Sequence, residues 1–159
     1  MGQAVTWQQL RLGIQRRLRR YGYDALTRFP VDPFRLAALE GIEVVKLPLG
    51  HLGGVLLRDG ELARVLLAAE QPARWTFTLA HELIHLWFHP AGVYYESLDG
   101  ATGEYEVQAN HGAAMLIMPA WAVREVAGAA QFDASRLAHA FGVSRHSMEI
   151  RLEELRLVP

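Results

Sequence analysis

The segment Arg74–Pro90, RWTFTLAHELIHLWFHP, constrains the fold more tightly than any other part of the chain. Between Pro72 and Pro90 there is no glycine or proline, which leaves room for about five helical turns at 3.6 residues per turn. On such a helix His81 and His85 stack on one face, four residues apart, and Glu82 stands one position round. Leu79, Leu83, Ile84 and Trp87 cover the remaining directions, so the helix belongs in a core. A core helix that carries three ionisable groups must have their desolvation compensated, and a bound cation facing them does this directly. Two hydrogen-bonded interior histidines are the plainer alternative. With 7 histidines and 12 glutamates in 159 residues, however, H-E-x-x-H turns up in only about 2% of shuffled sequences, so chance is a poor explanation.

The absence of cysteine removes disulfides and thiolate ligands, so a metal site here has to be built from histidine and carboxylate. Imidazoles at i and i+4 can both reach one Zn²⁺ at about 2.0–2.1 Å, leaving places for a third ligand and a water. Glu82, beside that water, is suited to take its proton and pass it to a leaving amine, the chemistry of peptide hydrolysis. The longer H-E-x-x-H-x-x-G-x-x-H pattern fails, because Phe88 and Ala91 stand where its glycine and third histidine should be. His89, just before Pro90, reads as a supporting or surface residue. The third ligand therefore lies further on. After a loop, GVYYESLDGATG, the stretch EYEVQANHGAAMLIMP predicts a second helix over 104–119. Glu104 or Glu106 on that helix, or less readily Glu96 or Asp99 in the loop, could complete a His, His, Glu set.

The rest of the chain reads as short alternating elements. Thr6 with Gln9 makes a capping box, and Trp7, Leu10, Ile14, Leu18 and Tyr21 recur at helical spacing up to Gly22. Arg16, Arg17, Arg19 and Arg20 on that helix read as a solvated face rather than a phosphate site. Asp32-Pro33 starts a second helix, IEVVKL predicts a strand over 42–47, and Asp59-Gly60 between two apolar runs predicts a hairpin. A strand of that hairpin offers an edge on which an extended peptide could lie. The tail pairs Leu137 and Phe141 with Met148, Leu152 and Leu155 around Gly142 and a Ser144 cap, the outline of a helix-turn-helix. Its second helix mixes Arg145 and Arg151 with Glu149, Glu153 and Glu154, which argues against direct nucleic-acid binding. With 51% hydrophobic residues and a net charge of -1, the composition predicts an ordinary globular protein. No apolar run approaches the roughly 20 residues of a membrane span, so the expected location is the cytoplasm. The expected organisation is a domain over 1–120 with a helical extension over 121–159, or one domain over 1–159.

FTLAHELIHLWFH, followed by Glu106-Val107-Gln108-Ala109-Asn110 and by Met118-Pro119, resembles the ImmA/IrrE family of zinc metallopeptidases. Its second motif is similar to E-x-x-A-N-x-F-A-x-x-L-L-M-P. The chain departs from it at Gly112, where an aromatic residue is usual, which bears on helix packing. FPVDPFRLAALEGIEV and ASRLAHAFGVSRHSMEIRLEEL extend the resemblance over most of residues 30–157. The resemblance implies an α+β, zincin-like fold, in which a small, mostly antiparallel sheet packs on helices that include the H-E-x-x-H helix. It implies one Zn²⁺ per chain held by His81, His85 and Glu106, with Glu82 as catalytic base. The implied substrate is a helix-turn-helix transcriptional repressor, whose cleavage in the cytoplasm relieves repression of stress-response or mobile-element genes. A non-proteolytic anti-repressor, or a DNA-binding regulator that retains the metal site, is the alternative. His111, Tyr95, Tyr105 and Arg74 are the candidates for contacting substrate or stabilising an oxyanion, and spacing places none of them.

Overall fold

The first helix, α1 (Trp7–Arg20), begins at the expected capping box, where Gln9 N donates to Thr6 Oγ1 at 3.2 Å and Thr6 N to Gln9 Oε1 at 2.8 Å. The computed structural model describes residues 5–24, 29–97 and 103–158, and side chains at all of these except 95–97. Leu10, Ile14 and Leu18 are the buried stripe of α1. Arg17 departs from the expected solvated face. Its Nη1 lies 3.0 Å from Glu40 Oε1 and its guanidinium 4.5 Å from the centre of the Trp87 ring. Tyr21 Oη and Trp87 Nε1 each donate to the same carboxylate at 2.7 Å, so Glu40 links α1 to the helix that carries Trp87.

Helix α2 (Pro33–Leu39) starts as expected, with Asp32 Oδ1 accepting from Phe34 N at 2.9 Å. The strands are β1 (Glu43–Leu47), β2 (Leu52–Asp59), β3 (Leu62–Ala68) and β4 (Tyr94–Ser97), in spatial order β1-β3-β2-β4. Strands β2 and β3 form the predicted hairpin, but Asp59 pairs with Leu62, so the loop is Gly60-Glu61, one residue later than expected. Gly60, at φ +59°, takes the first central position, where a type II′ turn requires glycine. The sheet is mixed, since β1 runs parallel to β3 while both β2 ladders are antiparallel. This topology corrects one expectation and narrows another. The segment expected as a loop after Pro90 contains β4, paired with β2 through Val55↔Tyr95 and Leu56↔Tyr94. Among the described residues both hairpin strands are internal to the sheet and the edges are β1 and β4, so the hairpin keeps a free side only beside its turn, at Leu57–Asp59 of β2 and Leu62–Ala63 of β3.

Helix α3 (Trp75–Phe88) follows a 3₁₀ turn at Pro72–Arg74 and is the predicted core helix, with every residue from Thr78 to His85 buried. It packs on the sheet and on α4 (Glu104–Ile117), which ends just before Pro119. Gly112 allows this close packing: a Cβ there would lie 2.9 Å from Ile84 Cγ1 and Cγ2, so the departure from an aromatic residue falls where α4 lies close against α3. Helix α5 (Ala120–Ala127), which the sequence pattern does not announce, leads to α6 (Ala134–Phe141) and α7 (Arg145–Glu154). Gly142 turns between these two helices at φ +65°, and Ser144 Oγ accepts from Ser147 N at 3.1 Å. Leu137, Phe141, Met148 and Leu152 belong to the same buried cluster as Leu10, Leu56, Leu83 and Leu116. The described residues are thus α+β, seven helices with a small mixed sheet, and no helix among them is long and apolar enough to cross a membrane.

Candidate metal centre

Because α3 is apolar on most sides, it is buried over its whole middle, and His81, Glu82 and His85 are all 0% exposed. Helix α4 answers two of them. Glu106 brings Oε2 to 3.1 Å from His81 Nε2 and Oε1 to 3.0 Å from His85 Nε2. The two Nε2 atoms are themselves 3.1 Å apart. One donor atom from each of the three residues lies within 4.8 Å of the others, so the group could hold a metal ion. Each Nδ1 is engaged elsewhere, in His81 with Asn110 Oδ1 and in His85 with His89 Nδ1, both at 2.8 Å. The nitrogens that converge are therefore the ones left to face an ion. Two imidazoles and one carboxylate are a donor set that suits Zn²⁺, which takes four partners. The Glu106 side chain is 20% exposed, whereas those of His81 and His85 are fully buried.

The electrostatics agree with this arrangement. Burial raises the Glu106 carboxyl, but hydrogen bonds and charge from His81 and His85 outweigh it and bring the pKa down to about 2. Burial lowers His85 despite the opposing pull of Glu106, and holds His89 at about 4. A deprotonated carboxylate and neutral imidazoles are the forms that bind a cation.

Three neighbours shape the centre. The Tyr94 ring, at the start of β4, stacks on His85 with centroids 4.2 Å apart and planes at 23°. Its hydroxyl donates to Pro90 O at 2.7 Å. Arg58 of β2 donates from Nη2 to the Leu86 carbonyl, which joins the sheet to the far end of α3. Gly54 makes room for Glu82: a Cβ on it would lie 3.2 Å from Glu82 Oε1 and 2.5 Å from Thr78 Cγ2.

The candidates from sequence divide clearly. His81, His85 and Glu106 come together, with Glu82 beside them on α3. Glu104, the other reading of the third ligand, is exposed at the first position of α4 and outside the cluster. His111 turns to the tail, where Nδ1 lies 2.8 Å from Glu154 Oε1 and the ring 5.4 Å from Trp7, so the structure does not bring it to the cluster. Tyr105 packs against His89, with centroids 4.8 Å apart. Arg74 is exposed at the start of α3, about two turns from His81. The side chains of Tyr95 and Glu96, and Asp99 altogether, lie outside the described residues. Sequence reasoning gave no role to Tyr94, Arg58, Gly54, Gln108 or Asn110. Of these, only Asn110 carried a signal, its place in the A-N pair after Glu106.

Comparison with known proteins adds one finding. The model of the Peptidase_M78 family, the IrrE N-terminal-like domain, matches residues 37–153. A comparison with curated proteins finds no match.

Proposed function

The chain belongs to the IrrE N-terminal-like domain family, Peptidase_M78, and on that premise we propose that it is a zinc-dependent endopeptidase of zincin-like fold. The observation that carries the reading is the convergence of His81, His85 and Glu106, with Glu82 next to His81 in the same helix. A peptidase family implies a protein substrate, and the proposed one is a helix-turn-helix transcriptional repressor cut in the cytoplasm.

In this reading His81 and His85 present Nε2, and Glu106 a carboxylate oxygen, to one ion. A bound Zn²⁺ would supply Lewis acidity and lower the pKa of a water from 15.7 toward about 7. Glu82 takes the proton of the attacking water and delivers it to the departing nitrogen as the C–N bond breaks, so that water and peptide become an acid and an amine. Asn110 and His89 hold the two imidazoles in the required orientation.

The test is intact-mass analysis of a repressor encoded beside this protein, incubated with zinc-loaded wild type and with Glu82→Gln. Two fragments with the wild type alone support the reading, with the variant slowed by about 10²–10⁴-fold or more, the usual worth of a general base. Equal cleavage by both would remove Glu82 from the mechanism. A repressor that binds both proteins and is cut by neither would favour the anti-repressor alternative.

A further inference from the structure

The two histidines of the centre are supported by chains of different length. His81 Nδ1 meets Asn110 Oδ1 directly, at 2.8 Å. The Nδ1 of His85 meets another imidazole nitrogen, His89 Nδ1, at 2.8 Å, and either could be the donor. The ambiguity is resolved two residues away. His89 Nε2 lies 3.1 Å from Gln108 Oε1, and Gln108 Nε2 donates to the Val5 carbonyl at 2.7 Å.

A carbonyl oxygen can only accept, so the Gln108 amide must turn its nitrogen to Val5 and its oxygen to His89. His89 must then carry its proton on Nε2. A neutral imidazole protonated there accepts at Nδ1, so His85 is the donor of the shared bond and carries its own proton on Nδ1. The lone pair of His85 is left on Nε2, the atom that faces Glu106 and His81. His89 is 5% and Gln108 2% exposed, so water has little access to compete for these positions.

We propose that the chain Val5–Gln108–His89 sets the tautomer and ring orientation of His85, making His89 and Gln108 positioning residues for metal binding. The inference rests on the metal reading of the cluster. It also gives the start of the chain a role, because Val5 and α1 lie before residue 37, where the family match begins. The capping box at Thr6 and the packing of α1 on α4 hold the Val5 carbonyl in place. A segment outside the matched region thus terminates the hydrogen-bond chain behind a metal ligand.

The test uses the full chain with Zn²⁺ and a competing chromogenic chelator. His89→Leu and Gln108→Leu should each weaken zinc binding by about 10–100-fold, the usual effect of losing such an outer partner. His89→Asn, which keeps an acceptor near the position of Nδ1, should recover most of the loss. In the zinc-loaded wild type, long-range ¹H–¹⁵N spectra should show His89 protonated on Nε2 and His85 on Nδ1. Wild-type affinity in both leucine variants, or a His89 protonated on Nδ1, overturns the proposal while leaving the metal reading intact. Equal losses in the Asn and Leu variants, each matched by the same fall in melting temperature, would show packing alone and also overturn it. A wild type that binds no zinc sinks the metal reading itself, an outcome distinct from the others.

Discussion

Helices α3 and α4 and helices α6 and α7 are both packed pairs with buried polar groups, yet they treat those groups differently. In the tail, the buried guanidinium of Arg151 donates from Nε to Met118 O at 3.0 Å and from Nη1 to Glu154 at 2.9 Å. Its partners absorb it, and Arg145 is likewise taken by Glu149 at 2.7 Å. In the α3–α4 pair, each imidazole has one nitrogen bound to a protein partner and the other aimed at a shared point with Glu106. Burial of a charged or polar group therefore does not by itself indicate chemistry. Convergence of the groups' remaining lone pairs does.

The contrast can be broken most severely at Glu106. Glu106→Gln should lose zinc affinity by more than about 100-fold, because outer partners alone are worth 10–100-fold. Retention of wild-type affinity in a chelator competition would mean that the convergence has no ligand role. The matching change in the tail is Arg151→Met. It removes the side-chain donor to the buried Met118 carbonyl and should cost about 1–3 kcal/mol in urea unfolding with zinc affinity unchanged. A coupled loss of zinc would show that the two pairs are not independent.

Glycines sharpen the contrast further. Gly112→Ala puts a Cβ 2.9 Å from the Ile84 side chain and should destabilise by about 1–3 kcal/mol through overpacking. Gly142 has nothing within 4 Å of its would-be Cβ but sits at φ +65°, so Gly142→Ala should cost about 1–2 kcal/mol from the backbone alone. Of the two, only the first should disturb zinc binding. A last test concerns pH. His89 sits at about 4 in the fold against an ordinary 6.5, so on acidification the unfolded chain takes up a proton first. Stability of metal-depleted protein from this group is full above 6.5, declines toward 4 and changes no further below it. His89→Leu should flatten that part of a melting-temperature profile.

How much of this was legible in advance depends on range. The caps at Thr6, Asp32 and Ser144, helices α3 and α4, and the hairpin were all readable, because each rests on residues within a few positions of one another. Strand β4 was not. Its four residues carry no alternation of their own and become a strand only by pairing with β2 about 40 positions earlier in the chain. The parallel alignment of β1 on β3, which skips the intervening β2, is hidden for the same reason. At the site, the spacing of His81, Glu82 and His85 was plain, but the choice between Glu104 and Glu106 needed either a family resemblance or the geometry itself.

By its own pattern the sequence determined that one helix would be buried with two histidines stacked on a face, and that any metal ligands would be nitrogen and oxygen. These follow from helical periodicity and from the absence of cysteine. Only the tertiary structure decided which carboxylate meets them, that His111 turns away to Glu154, and that Gln108 and Val5 stand behind His85. The physical reason is that a hydrogen bond or a shared ligand point is a matter of ångströms between residues many positions apart. Local preference fixes neither the crossing of α3 on α4 nor the place where α1 comes to rest against them.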